Sequence, residues 1–164
     1  MKRAMAVPAV LSLTAVLIAV AATQESDLVA EVLAAGRGTE AAWAAGDVAM
    51  FMTHFDPNVD GYEPDAGLLV GPTTAAEMQA LFDSGFKADM ESRHTRVRVY
   101  GDDTAVLTAY STGTMTGPDG SSMSGTWRFT EVRVKRDDGW KIVHYHFSPL
   151  TTAVVETPPT GAPE

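Results

Sequence analysis

The residues best equipped for chemistry sit near the C-terminal end, where the stretch GWKIVHYHFSPL, Gly139 to Leu150, sets His144 and His146 one residue apart with an aromatic after each. Residues two apart on a strand point to the same face, so the two imidazoles are neighbours. Three chemistries are open to them. As metal ligands they lack a third partner, because no spacing selects His54, His94, Asp56 or Glu63 to complete a site, and no metal is expected. As an acid or base, His144 would titrate near neutral pH beside a carboxylate such as Glu131. The least demanding role is structural, with histidines hydrogen-bonded across strands or at a subunit interface.

Other groups could join an acid/base site. Asp56 follows a short helix and Glu63 follows Tyr62, and with Glu131 and His144 they are the candidate catalytic residues, while His54 is a further candidate base. Tyr62 and Tyr145 could donate to a developing enolate. Candidate ligand contacts are His54, Tyr62, Glu63 and Glu131, joined by Trp127, Tyr145 and Phe147. Such aromatics line small-molecule cavities as readily as they fill cores. Asp102–Asp103 and Asp137–Asp138 read as turn residues. GPDGSSMSG lacks the ligand spacing of a calcium loop, the glycines follow no phosphate-binding pattern, and no serine has a nucleophile-elbow context. Hydrolase and nucleotide-binding functions are thereby excluded, and no cofactor is expected.

These groups need elements to hold them. Apolar residues recur at helical spacing from Ser26 to Ala45, with Ser26 or Asp27 as the cap, Gly46 as the stop and a bend at Gly36 and Gly38. Asp47 caps a second, short helix through Phe55 that Pro57 ends. Short strands follow at Val59–Glu63 and Leu68–Val70. A helix capped by Thr73 or Thr74, with Glu77 in its first turn, buries Met78, Leu81, Phe82 and Phe86. Four strands then alternate with turns: HTRVRVYG, TAVLTAYSTGTM, SGTWRFTEVRVKR and WKIVHYHFS. Helices first and an antiparallel meander last define an α+β fold.

In the last hairpin a short turn at Asp137, Asp138 and Gly139 pairs Lys135 with Lys141, Val132 with His144 and Thr130 with His146. Glu131, Tyr145 and Phe147 then share one face; Ile142, His144 and His146 share the other.

Lys2 and Arg3 precede an apolar run from Ala4 to Ala22 that ends in small residues, the layout of a secretory signal peptide over residues 1–22. A secreted or periplasmic location is expected, with no membrane association after cleavage. Residues 23–150 then form one domain, and 151–164, rich in Pro, Thr and Gly, a flexible tail. The chain has no cysteine, so packing alone must hold it, and a net charge of −9 argues against nucleic acid as a partner.

The segments FDPNVDGYEPDAGLLVG, PTTAAEMQALFDS and RFTEVRVKRDDGWKIVHYHFS resemble the association domain of calcium/calmodulin-dependent protein kinase II and the wider SnoaL-like group of the nuclear transport factor two-like superfamily. The most specific part is the closing strand, Trp140, Ile142, Val143, His144, His146 and Ser148. The resemblance implies a cone-shaped curved antiparallel β-sheet packed against N-terminal helices, a pocket between them, and a homodimer formed through the sheet's other side. Kinase association domains carry cavity arginines where this chain has Glu131 and Phe147, with Arg133 nearby. The expectation is an exported, dimeric, non-catalytic domain binding a small apolar ligand or a partner. The alternative is a ketosteroid-isomerase-like enzyme moving a proton on a hydrophobic carbonyl compound.

Overall fold

The computed structural model describes residues 10–63 and 69–150, so the first nine residues of the expected signal segment and the tail from Thr151 lie outside the described residues. Helix α1 runs unbroken over Val10–Ala45. Ser26 and Asp27 therefore lie inside a helix and cap nothing, a correction that follows from the helix-favouring Ala, Leu, Gln and Glu on either side of them. Among the described residues no helix is long and apolar enough to cross a membrane. Gly36 and Gly38 do not break α1; they let it approach its neighbours. A Cβ on Gly36 would lie 3.1 Å from the Leu107 side chain, and one on Gly38 would lie 3.0 Å from the His54 ring.

Helix α2, Val48–Met52, is capped by Asp47, whose carboxylate accepts the Met50 amide at 2.9 Å. It ends before Phe55, earlier than the apolar spacing indicates, because Phe55 opens strand β1, Phe55–Tyr62. Pro57 lies within that strand, where the register against its neighbour shifts between Phe55 and Asp60. A residue without an amide hydrogen fits such an irregularity. After β2, Leu69–Val70, helix α3 spans Ala75–Asp83 with Thr74 and Glu77 in a reciprocal capping box. None of its residues is fully buried; Phe82 meets Trp43 edge-on at 5.1 Å.

Strands β3, Lys87–Tyr100, β4, Thr104–Thr116, β5, Ser122–Arg136, and β6, Gly139–Pro149, complete a six-stranded sheet of order β2-β1-β6-β5-β4-β3. The meander β3 to β6 is antiparallel, but β1 runs parallel to β6, so the curved, unclosed sheet is mixed where the sequence indicates an antiparallel one. α1 lies across the concave side. Its Leu28 and Val32 pack with Ala105, Leu107 and Ala109 of β4 and Trp140 of β6. Full burial of a side chain such as Val32 contributes about 1.5–3 kcal/mol.

One irregularity decides which side chains face inward. In the β5–β6 hairpin, Val132 pairs with His144 and Thr130 with His146, but the register shifts between Val132 and Arg133, so Arg133 pairs with Ile142 and Lys135 with Trp140. Val143 is the extra residue of this bulge. Unbroken alternation would place Ile142 beside His144 on the outer face and Lys141 opposite Lys135; both placements are corrected by it. Ile142 is 1% exposed and faces inward, as does Trp140.

Candidate functional site

Between α1, α2, α3 and the concave sheet lies a cavity of about 490 Å³. One wall is a run of aromatic rings: Trp43 of α1 contacts Phe51 of α2 at 5.0 Å, Phe51 contacts Phe55 at 4.8 Å, and Phe55 meets Tyr145 of β6 edge-on at 6.4 Å. The opposite wall is softer, with Met78 and Leu81 of α3, Met90 of β3 and Met115 of β4. Methionine fills irregular space without fixing it, so this wall can adapt its shape.

At the buried end stands an ion pair. Glu131 and Arg133, two residues apart on β5, both point inward and are 2% and 0% exposed. Arg133 Nε donates to Glu131 Oε2 at 2.6 Å, and Nη2 donates to Thr39 Oγ1 of α1 at 3.0 Å. Thr39 in turn donates to the Ala35 carbonyl of its own helix. Burial pushes the Glu131 carboxyl above its ordinary value against the pull of the Arg133 guanidinium. Arg133 Nη1 and His54 Nε2 are buried without a hydrogen-bond partner among the described residues. Desolvation first, then the charges of Arg133 and Lys141, lower the pKa of His54 from 6.5 and favour its neutral form.

At the exposed end, the Tyr145 hydroxyl donates to Glu63 Oε1 at 2.5 Å. Burial, reinforced by that carboxylate, raises the Tyr145 pKa, so the phenol stays protonated. Gly61 makes this geometry possible. The Tyr145 ring lies flat over the β1 backbone, where a Cβ on Gly61 would come within 2.6 Å of it.

The residues singled out from the sequence divide between three places. Glu63, Glu131, Tyr145 and Phe147 line the cavity. Trp127 is buried but lies behind the wall, stacked on Phe147 at 5.8 Å, and is not a lining residue. His54 lies against α1 outside the lining, and Asp56 is bound by Arg136 at 3.0 Å and by the Asn58 amide. Tyr62 and His144 lie on the outer face. Tyr62 follows inward Gly61 by one residue, so strand alternation turns it outward, and its ring meets those of His144 and His146 edge-on. There His144 Nδ1 donates to Asp60 Oδ1 at 2.5 Å. Among the described residues no three His, Cys, Asp or Glu side chains come together as a metal site.

Sequence reasoning passed over Thr39, Glu40, Met90 and Met115. Thr39 shows only as a polar residue amid the apolar spacing of α1. Arg133 was visible as a cation near the cavity; its pairing with Glu131 could have been read from their i, i+2 spacing on one strand face.

Helices cupped in a curved, open, mixed sheet around such a cavity define the NTF2-like class of folds. Within that class, the family model for the SnoaL-like domain matches residues 32–152, and the chain belongs to that family. Among solved structures it is similar to the CaMKII hub of S. rosetta, at 30% identity and a TM-score of 0.59, covering 74% of this chain and 95% of that one. It is similar also to an NTF2-like protein of unknown function in nutrient uptake from Rhodospirillum rubrum, at 21% identity and TM-score 0.63, over 73% and 98% of the two chains. A ketosteroid isomerase-like protein from Erwinia carotovora atroseptica aligns at 16% identity and TM-score 0.63, over 76% and 97%. No curated protein matches the sequence significantly.

Proposed function

We propose that the protein is an exported, dimeric binding domain whose cone holds a small, mainly apolar molecule and does no chemistry on it. The observation that carries this reading is the cavity itself: about 490 Å³, walled mainly by aromatic and methionine side chains, with a few polar groups among them, Glu131 buried and Glu63 exposed. Small-molecule sites have this size and make-up. Its most buried carboxylate, Glu131, already has one oxygen committed to Arg133, which suits a fixed polar floor better than a base. Export is supported by the cationic start and the apolar run from Ala4 to Ala22. Dimerisation is supported by the exposed aromatic and histidine side chains on the outer sheet face, Tyr62, Tyr110 and His146, and by likeness to a protein described as a hub.

Native mass spectrometry of the protein recovered from an exporting host tests all three parts. The expected result is a dimer whose chains begin near Ala22 or Thr23 and carry a co-purified organic mass. That mass should be lost in Ala88→Phe, which places a ring into the cavity lining. An empty monomer with the full N-terminus would overturn the proposal.

One observation favours a second reading, a proton-transfer enzyme acting on a hydrophobic carbonyl compound. A carboxyl pushed upward by burial, Glu131, and a protonated phenol, Tyr145, line the same cavity. Hydrogen–deuterium exchange at the α-carbon of an enolisable apolar ketone, followed by NMR, decides it: exchange faster than buffer favours the enzyme, and no acceleration favours simple binding.

A further inference from the structure

The outer sheet face carries charges of both signs, its arginines standing with Asp60, bound to His144, and with Glu91, bound to Arg93. On the outer sheet face, Arg98, Val106, Val132 and His144 lie in one cross-strand row, and Arg96, Thr108, Thr130 and His146 in the next, with Arg93 and Arg128 on the same side. The charge in the cavity lining is of one sign. Its lining includes four carboxylates, Glu40, Glu63, Glu77 and Glu131, and among the described residues no lysine, arginine or histidine. Of the four carboxylates Arg133 pairs with Glu131 alone, from behind the lining, and Glu40, Glu63 and Glu77 enter no ion pair among the described residues. Among the described residues Glu63 and Glu77 accept only from neutral hydroxyl and amide groups, which leave their charge in place.

A second observation points the same way from the buried end. Glu131 is 2% exposed and lines the cavity, yet only its Oε2 receives a hydrogen bond; Oε1 takes none among the described residues. The free oxygen of a carboxylate that lines a mainly apolar cavity can accept a hydrogen bond from whatever fills that space, and the group disfavours a second carboxylate beside it. The aromatic run Trp43, Phe51, Phe55 and Tyr145 lines the cavity up to Glu63, and aromatic rings attract cations over their faces.

Resting on the reading of the cone as a binding cavity, we infer that its ligand is an organic cation: an apolar body bearing an ammonium group, held among the exposed-end carboxylates and the aromatic wall. The low-dielectric wall strengthens each attraction relative to open water. An acidic cavity within a chain of net charge −9 also concentrates cations at its mouth.

Three probes of one skeleton test this by isothermal titration calorimetry on the full domain: phenylbutylamine, cationic at neutral pH, phenylbutanol, neutral, and phenylbutyrate, anionic. The expected order of affinity is amine, alcohol, carboxylate, with the amine about tenfold ahead of the alcohol and the gap narrowing as salt is added. In Glu63→Gln/Glu77→Gln the ratio of amine to alcohol affinity should fall towards one. Because both ligands are read on the same protein, a partial loss of folding cancels from that ratio. Equal binding of amine and alcohol, or tighter binding of phenylbutyrate, would overturn the cation inference and leave the binding cavity standing. No heat from any of the three would overturn both.

Discussion

Arg133 and Glu131 show how little of an interior ion pair is written in residue type alone. Each is a charged residue in a strand rich in charged residues, and only their common inward direction and their near-zero exposure distinguish them from the solvated Lys135 and Arg136 that follow. Removing one partner leaves the other uncompensated in the interior. Arg133→Met should therefore cost about 3–5 kcal/mol in denaturant unfolding, while Glu131→Leu/Arg133→Met should recover most of that loss. Non-additivity of this kind would show that the pair fixes the shape of the cavity floor more than it stabilises the fold. His54 adds a pH dependence of definite sign. Its folded-state pKa lies below 6.5, so its stabilising contribution is full above that value and declines as pH falls through the lowered one. The melting temperature should drop on acidification below pH 6.5, and His54→Gln should flatten that part of the profile.

At the scale of elements, the strands and helices were legible because their signals are local: the Asp47 cap, the Thr74–Glu77 box and the turns at Asp102–Asp103 and Asp137–Asp138 can all be read from neighbouring residues. What could not be read was whatever depends on a distant partner. The parallel pairing of β1 with β6 joins residues such as Asp60 and His144. The bulge at Val143 exists because Ile142 and Trp140 have core to fill while His144 and His146 must stay on the other side. Deleting Val143 would restore strict alternation and force either the two core side chains outward or the two histidines inward. The deletion should unfold the domain or lower its melting point severely, whereas Val143→Ala, which keeps the residue count, should be far milder; thermal unfolding by circular dichroism separates the two.

At the scale of the whole molecule, the fold was legible, but the division of labour between its two faces was only half so. Alternation in β5 and β6 indicated that Glu131, Tyr145 and Phe147 share a face, and they line one cavity. It could not show that the helices would bring Glu40 and Glu77 to the same space, because those residues belong to elements whose placement depends on the completed sheet. The parallel junction of β1 and β6 has a consequence in time as well as in space. Residues near the start of the domain find their neighbours only in its last strand, so a nascent chain holds an incomplete sheet, with β1 short of one partner, until synthesis reaches Pro149. Contacts so far apart in sequence slow folding. Under the export proposed above, that delay would be an advantage, because a chain whose sheet closes only with its last strand is easier to thread through a translocation channel.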